Sequence, residues 1–280
     1  KVFDKLNLFE NKNNGVWYLG DSGYPFDNKI TTIPTHTTTY ANVKFDDYDI
    51  VFIQGANPVI SSPNMNFIID SLKNTFVIYM GIIENDTSKY ADIIIPAKTF
   101  LQKKDVRLSY SHDEIRYCEV CEENDNAISE YELTNYLFKE FGFSGLLSED
   151  EYLECFKIPV HDKPKIKFVA QKTKNVELLE LANDEFYLLT SKSINTINSQ
   201  FKYNKYAYIH PQHNFKDEEI ITIASPTGKI KIAVKNDDSI YPNTVLIYAG
   251  NKQVNILTSN KLSSCKTNAT FQDIKLTICR

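Results

Sequence analysis

DIVFIQGANPV, residues Asp49 to Val59, is an apolar run that ends in a short segment of turn-forming residues. The run over residues 50–54 has the length of a buried strand. Gly55 allows a ligand to approach the backbone closely, and Asn57 offers both a donor and an acceptor. Because open α/β sheets bind ligands at the carboxyl ends of their strands, Gly55, Asn57 and Pro58 are candidate ligand contacts. The alternative is an ordinary strand-to-helix turn that uses these residues only for their backbone preferences.

Runs of strand length alternate with helical patterns around this stretch. The predicted strands are residues 16–19, 50–54, 76–80 and 91–95. Residues 64–73 have apolar side chains at near-helical spacing and predict a crossover helix. A second helix is predicted over residues 129–141, with Ser129 as its N-cap and Gly142 just past its end. This alternation indicates an α/β domain with a largely parallel sheet in residues 1–160.

The composition and the pattern of apolar residues change in the second half of the chain. A Lys-rich stretch up to Lys174 predicts a solvated linker, and short strands separated by turns such as Pro226-Thr227-Gly228 follow it. The predicted strands are residues 186–189, 206–209, 220–224, 229–234, 244–248 and 274–278. Their spacing is typical of a small β-barrel, which we assign to residues 161–280.

Composition excludes several classes of partner. The net charge of -5 leaves no basic surface for nucleic acid, and no apolar run reaches the roughly 18 residues that a membrane span needs. Five scattered cysteines are a poor disulfide framework and favour a reducing compartment, so we expect a cytoplasmic protein. The periplasm is the alternative if a signal peptide precedes Lys1. Cys118 and Cys121 lack the further ligands of a zinc site, so we interpret them as structural.

Polar loops follow several strands. Asn85, Asp86 and Thr87 come after the third predicted strand, where their acceptors suit the donor-rich edge of a guanine or pterin ring; capping of a short helix is the alternative. In the barrel, Thr190, Ser191 and the residues after them suit pyrophosphate oxygens without much positive charge. The five histidines show no metal spacing. His112, in a Ser-Tyr-Ser-His stretch between strand-like segments, is interpreted as a structural histidine, with a polar pocket wall as the alternative. The chain has no nucleophile–base constellation, Walker loop or GxGxxG motif.

Several of these stretches occur together in one known family. They include GANPVISSPN and ENDTSKYADIIIPAKTFLQKKDVRLSYSH, and then LLTSKSINTINSQF, YIHPQ, SPTGKI, YPNTVLIYAG, VNILTSNKLSS and ATFQD. In this order they resemble the C-terminal half of the molybdopterin oxidoreductases, the dimethyl sulfoxide reductase superfamily that also includes nitrate reductases and formate dehydrogenases. The resemblance covers nearly the whole chain and implies a barrel of the double-psi type.

The resemblance implies a cofactor and its contacts. The cofactor is molybdenum or tungsten held by two pterin guanine dinucleotides, and the reaction is oxygen-atom transfer or formate-type oxidation. The residues expected to line one dinucleotide are Gly55, Asn57, Pro58, Asn85, Asp86 and Thr87. Those expected in the C-terminal dinucleotide-binding barrel are Thr190, Ser191, Ser193, Asn198, Ser199, Asn255, Thr270, Phe271 and Gln272.

The resemblance also implies that some functional residues lie outside this sequence. In that family, the N-terminal half contains the cysteines of a 4Fe-4S cluster and the residue that ligates the metal. We therefore expect this chain alone to be inactive. The expected partners are that N-terminal portion, a small-molecule substrate and an electron-transfer subunit. Gln102 stands where the family usually has Glu, and His213-Asn214 where it has Asp-Ala, so those contacts are expected to differ.

Two other classes of protein remain open. One is a non-catalytic relative without pterin, such as the large iron–sulfur subunit of respiratory complex I. In that case side chains would fill the polar rims at Asn57, Asp86, Asn198 and Asn255 instead of lining an open cleft, whereas the Ser-Tyr-Ser-His stretch favours the enzyme. The other is an unrelated nucleotide-binding α/β enzyme, which does not account for the barrel motifs.

Overall fold

The structure, a computed structural model, describes residues 40–107, 115–155, 180–196, 204–264 and 268–279. These residues form two compact units. One unit contains residues 97–107 and 115–155, and the other contains residues 40–96 together with the described residues from 180 onwards. The predicted boundary between residues 160 and 161 lies outside the described residues, so the division into two domains at that point stays a prediction.

A three-stranded parallel sheet forms the centre of residues 40–96. Its strands lie in the order β1 (Ile50–Gln54), β2 (Phe76–Gly81) and β3 (Ile93–Pro96). β3 begins two residues later than predicted; Asp92 lies in a bend before it, and its carboxylate accepts a hydrogen bond from the Val77 N–H at 2.7 Å. The predicted strand over residues 16–19 lies outside the described residues. The parallel sheet itself is confirmed.

Two helices connect β1 to β2, namely α1 (Pro58–Ser61) and α2 (Met65–Leu72). α2 confirms the predicted crossover helix, and Asn64 before it takes a left-handed φ of 53°, which Asn tolerates better than most residues. α1 was not predicted because four residues are too few to show a period. Pro58 is the first residue of α1, and the N–H that proline lacks would have no partner within the helix at this position.

One face of the sheet packs on these helices, while the other carries several exposed apolar side chains beside the buried Met80. On the packed face, Ile53, Val77 and Tyr79 are buried with apolar side chains of α1 and α2. Side chains alternate along a strand, so Ile50 and Phe52 point the other way, and they expose 62% and 45% of their surface. Phe76, the partner of Ile50 in the next strand, is 42% exposed. Parallel sheets are normally covered on both faces, so this exposed face is unusual.

The unit that contains residues 97–107 and 115–155 holds a small hairpin and two helices. Its elements are β4 (Asp105–Arg107), β5 (Arg116–Cys118), α3 (Glu130–Glu140) and α4 (Glu149–Cys155). α3 confirms the predicted helix: the Ser129 hydroxyl and the Glu132 carboxylate each accept a hydrogen bond from the other's backbone N–H, and Gly142 follows with a φ of 67°. The hairpin and α4 were not predicted.

The second half of the chain forms a closed six-stranded barrel. Its strands are β6 (Glu185–Leu189), β7 (Tyr206–Ile209), β8 (Ile220–Ala224), β9 (Lys229–Asn236), β10 (Thr244–Leu246) and β11 (Lys275–Cys279). They close in the order β10-β6-β11-β8-β9-β7, with parallel pairing of β10 to β6 and of β7 to β9. All six predicted strands are present within two residues of their predicted bounds. The predicted fold class is therefore confirmed.

Alternating apolar residues fill the barrel. Ile230, Ile232 and Val234 of β9 point inward and are buried, while the lysines between and beside them point outward. The turn between β8 and β9 is closed by Ser225, whose hydroxyl accepts from the N–H groups of Thr227 and Gly228 at 3.1 and 3.3 Å. This pattern leaves the loops at the barrel ends to carry any binding site.

Candidate cofactor-binding site

The loop after β1 has the backbone that its sequence predicts. Gly55 has a left-handed φ of 58°, which favours glycine, and its N–H donates to the carbonyl of Met80 at 2.9 Å. A Cβ built on Gly55 would meet nothing within 4 Å, so the backbone here faces open space. Asn57 and Pro58 then start α1. The backbone of residues 55–58 thus forms the strand-to-helix turn that was the alternative interpretation, and the end of β1 is also accessible.

The loop after β2 is joined to the loop after β1 by Asn85. The side-chain oxygen of Asn85 accepts from the N–H groups of Thr87 and Ser88 at 2.9 and 3.1 Å. Its side-chain nitrogen donates to the carbonyl of Ala56 at 3.2 Å and to the hydroxyl of Tyr79 at 2.8 Å. Asn85 therefore organises its own loop and ties it to the end of β1.

Thr87 makes the second connection between these loops. Its fully buried hydroxyl accepts from the N–H of Val59 at 3.1 Å and donates to the side-chain oxygen of Asn57 at 2.8 Å. Asn57 is only 9% exposed. The structure therefore brings both predicted loops together, but the side chains of Asn57 and Thr87 form part of the interior.

Asp86 is the member of this loop that stays at the surface. Its carboxylate lies 3.0 Å from the ammonium of Lys89 and 3.4 Å from that of Lys252, and 20% of its side chain is exposed. Burial alone would raise the pKa of Asp86, but the hydrogen bond from Lys89 and the charge of Lys252 outweigh it and hold the pKa below its ordinary value. Asp86 is thus a charged acceptor beside two cations.

Lys252 belongs to the barrel, and further contacts join the same barrel segment to the sheet region. The Asn255 side chain donates to the carbonyl of Ile60 in α1 at 2.5 Å, and its oxygen accepts from the Thr258 hydroxyl at 3.0 Å. The Asn64 N–H donates to the carbonyl of Thr258 at 2.9 Å. Barrel residues 252–258 therefore lie against the loop after β2 and against α1 and the residue before α2, within one compact unit.

The remaining barrel candidates form smaller groups. The side chain of Gln272 makes two hydrogen bonds to the backbone of Thr190. Its nitrogen donates to the Thr190 carbonyl at 2.8 Å, and its oxygen accepts from the Thr190 N–H at 3.4 Å. The Ser191 carbonyl accepts from the N–H of Ala249 at 2.8 Å. The Ser193 hydroxyl lies 3.0 Å from that of Thr196.

The other predicted contacts are placed as follows. The Thr270 N–H donates to the carbonyl of Lys261 at 2.9 Å, and Phe271, next to Gln272, is partly buried. Asn198, Ser199, Tyr110 and His112 lie outside the described residues. Ligand contact by any of the candidate residues stays a prediction.

Three of the four polar positions, Asn57, Asp86 and Asn255, bear on whether the rim is an open cleft or is filled by side chains. Asn57 and Asn255 are buried, at 9% and 8% exposed, and hydrogen-bond to protein atoms. Asp86 keeps an exposed edge. Two of these rims are therefore filled and one is open.

A groove lies at the other end of the strands. It has a volume of about 460 Å³ and is lined by residues that precede the sheet strands, including Asp49, Thr75 and Asp92. It is thus at the amino ends of the strands, opposite to the predicted site, and none of the predicted site residues lines it.

Side chains that could ligate a metal ion are scattered among the described residues. They include no group of three His, Cys, Asp or Glu side chains placed to hold a metal ion. His210 accepts a 3.2 Å hydrogen bond from the Gln212 N–H, and the ring of His213 packs on Phe186. No helix in the part of the chain described has the length and apolarity of a membrane span.

Lys252 was not among the residues that the sequence singled out. It stands in Gly-Asn-Lys-Gln, which has no recognisable motif, and its partner Asp86 is 166 positions away. Tyr79 and Thr258, which support Asn85 and Asn255, were also missed, because hydroxyls next to apolar runs have no distinctive spacing. Only the three-dimensional arrangement identifies these three residues.

Two family models match successive parts of the chain. A family model described as "Molybdopterin oxidoreductase" matches residues 5–140, and one described as "Molydopterin dinucleotide binding domain" matches residues 186–275.

Two curated relatives come from Bacillus subtilis (strain 168). The chain is 24% identical over 293 residues to the assimilatory nitrate reductase catalytic subunit, which covers 80% of this chain and 41% of that protein. It is 30% identical over 121 residues to the probable oxidoreductase YoaE, covering 41% of this chain and 18% of that protein. The chain thus spans less than half the length of these relatives.

A solved structure gives the same fold. Acetylene hydratase from Pelobacter acetylenicus matches with a TM-score of 0.53 at 13% identity, over 82% of this chain and 44% of that one. The two family models together span most of this sequence and fall on its α/β part and its barrel, so the chain belongs to the molybdopterin oxidoreductases, in the dimethyl sulfoxide reductase superfamily.

Proposed function

We propose that this chain grips a molybdopterin guanine dinucleotide in an enzyme that carries out two-electron redox chemistry, by oxygen-atom transfer or formate-type oxidation. The observation that carries the proposal is that barrel residues 252–258 contact the loop after β2 at Asp86 and the segment that follows the β1 loop at Ile60 and Asn64. Ligands of open α/β sheets bind at this end of the strands. A ligand there would touch both kinds of loop.

The residues present fit such a ligand. The backbone at Gly55 faces open space, Ser191 and Gln272 are exposed, and Asp86 offers an ionised acceptor to a ring edge that carries N–H donors. Asn57 would hold the loops in position from the interior, as Thr87 and Asn255 would. When bound, the pterin–metal group supplies the redox centre, and these residues bind and orient it.

The rest of the proposal concerns the complete enzyme. The metal, molybdenum or tungsten, its protein ligand and a 4Fe-4S cluster would belong to a part of the enzyme outside this chain, and the chain alone would be inactive. The exposed apolar face of the sheet at Ile50, Phe52 and Phe76 supports packing against such a further part. An electron-transfer subunit and a small-molecule substrate complete the proposed set of partners.

Thermal unfolding of the chain with and without guanosine diphosphate tests the proposed grip. Saturating GDP should raise the unfolding midpoint by about 2 to 4 °C, while ADP at the same concentration should have little effect. Asp86→Asn should remove the preference for GDP, and Asp238→Asn, an exposed carboxylate in a barrel turn, should keep it. Equal shifts with GDP and ADP, or none, would contradict the proposal.

A second candidate function is that of a relative without pterin, which would act as a structural and interaction module. The burial of Asn57 and Asn255 favours it, because filled rims leave less room for a ligand. Oxidative extraction of the full-length enzyme separates the two candidates, since a fluorescent pterin would be released only from the cofactor-binding enzyme.

A further inference from the structure

Lys252 is held at the junction of the two groups of candidate residues. Before it, the Ala249 N–H donates to the carbonyl of Ser191 at 2.8 Å, and Gly250 takes a left-handed φ of 90°. Asn251 is only 4% exposed; its side-chain nitrogen donates to the carbonyl of Asn204 and its oxygen accepts from the Gln253 N–H, both at 2.9 Å. The backbone of Lys252 is therefore fixed, with a barrel candidate on one side and the Asp86 loop on the other.

The side chain of Lys252 reaches the same carboxylate as Lys89. Half of it is exposed, and its ammonium lies 3.4 Å from Asp86, whereas Lys89 approaches the same carboxylate oxygen at 3.0 Å from within the same loop. Lysine carries its charge on a flexible four-carbon stem, so Lys252 can reach a new anion by changing rotamer while Lys89 stays with Asp86.

A phosphate at this junction needs a cation. In the barrel loop, Thr190, Ser191 and Ser193 offer neutral groups beside the exposed Lys192, whereas Asp86 is negatively charged. A pyrophosphate that reaches Asp86 would be repelled there unless a positive charge lay between. We propose that Lys252 binds a phosphate of the dinucleotide, exchanging Asp86 for a phosphate oxygen when the ligand binds; this rests on the proposed function. Lys252 is then a ligand-binding residue that depends on the phosphates and not on the base.

Calorimetric titrations of the chain with GDP and with guanosine, which lacks the phosphates, test this role. In Lys252→Gln, the affinity for GDP should fall about tenfold, as expected for the loss of one charge-assisted hydrogen bond, and the affinity for guanosine should stay within about twofold. Lys252→Arg, which keeps the charge, should recover most of the affinity for GDP. Lys231→Gln, which removes an exposed charge from β9, is the matched control and should behave as the unaltered chain.

Three outcomes overturn the inference. Unchanged affinity for GDP in Lys252→Gln would show that Lys252 does not bind phosphate. An equal loss for guanosine and GDP would show that it only positions the Asp86 loop. If the unaltered chain bound neither ligand, the proposed function itself would fail, and the role of Lys252 with it.

Discussion

At the scale of single residues, the two strand-end loops depend on one buried hydroxyl. Thr87 accepts from the Val59 N–H and donates to Asn57 with no exposed surface, so removing its oxygen takes one hydrogen bond from each of two buried groups. We expect Thr87→Val to lower the free energy of unfolding by about 1 to 3 kcal/mol in urea titrations. Thr277→Val, on an exposed position of β11, is the matched control and should change it little. Equal effects of the two substitutions would refute this role of Thr87.

Asp86 gives a residue-scale prediction in acid. Burial alone would raise its pKa, but Lys89 and Lys252 hold the pKa below the ordinary 3.8. A carboxyl group with a lowered folded pKa stabilises the protein above its unfolded pKa, and this contribution is lost as the pH falls through the folded value.

The stability of Asp86→Asn should therefore fall less steeply than that of the unaltered chain below about pH 4, in urea titrations at stepped pH. The control Asp238→Asn, which removes an exposed carboxylate, should follow the unaltered chain. The same acid dependence in Asp86→Asn and the unaltered chain would argue against the ion pairs.

The sequence predicted which polar residues lie at the strand ends, but not which of them are buried and which are exposed. Asn57, Asn85 and Thr87 follow apolar runs, and this pattern indicated polar groups at strand ends. The pattern does not say which of them turn inward, because that depends on neighbours such as Val59 that offer a backbone N–H. The pairing of Asp86 with Lys252 joins positions 166 apart, beyond any local signal.

At the scale of elements, long periodic runs were predicted well and short ones were not. The six barrel strands and α2 have clear alternation or helical spacing, and their bounds agree within about two residues, which is the usual uncertainty of element ends. α1 and the β4–β5 hairpin have three or four residues in each element, so tertiary contacts and not sequence periodicity decide them.

The exposed face of the parallel sheet gives an element-scale prediction. Phe52 and Ile93 are 45% and 44% exposed, so the chain should bind the hydrophobic dye ANS there. Phe52→Thr with Ile93→Thr should lower ANS fluorescence and self-association without lowering the unfolding midpoint. Ile220→Thr, a 68% exposed position on β8, is the control outside this face. Unchanged ANS fluorescence in the double variant would contradict binding of the dye to this face of the sheet.

At the scale of the whole molecule, the sheet of residues 40–96 and the barrel act as one compact unit, joined through Asp86, Asn255 and Thr258. The sequence predicted a sheet and a barrel in succession, and the resemblance to a family implied that they share a ligand. The sequence alone did not predict that the barrel segment rests on α1, because this contact requires the closed barrel to bring residues 252–258 back to the sheet.

Amide hydrogen exchange with and without GDP tests the central claim, that loops from the sheet and from the barrel grip one dinucleotide. Saturating GDP should slow exchange in residues 84–90 and in residues 249–258 together, with the same dependence on GDP concentration, while β8 on the barrel wall stays unchanged. Protection of only one of these loops, or of neither, would contradict the account.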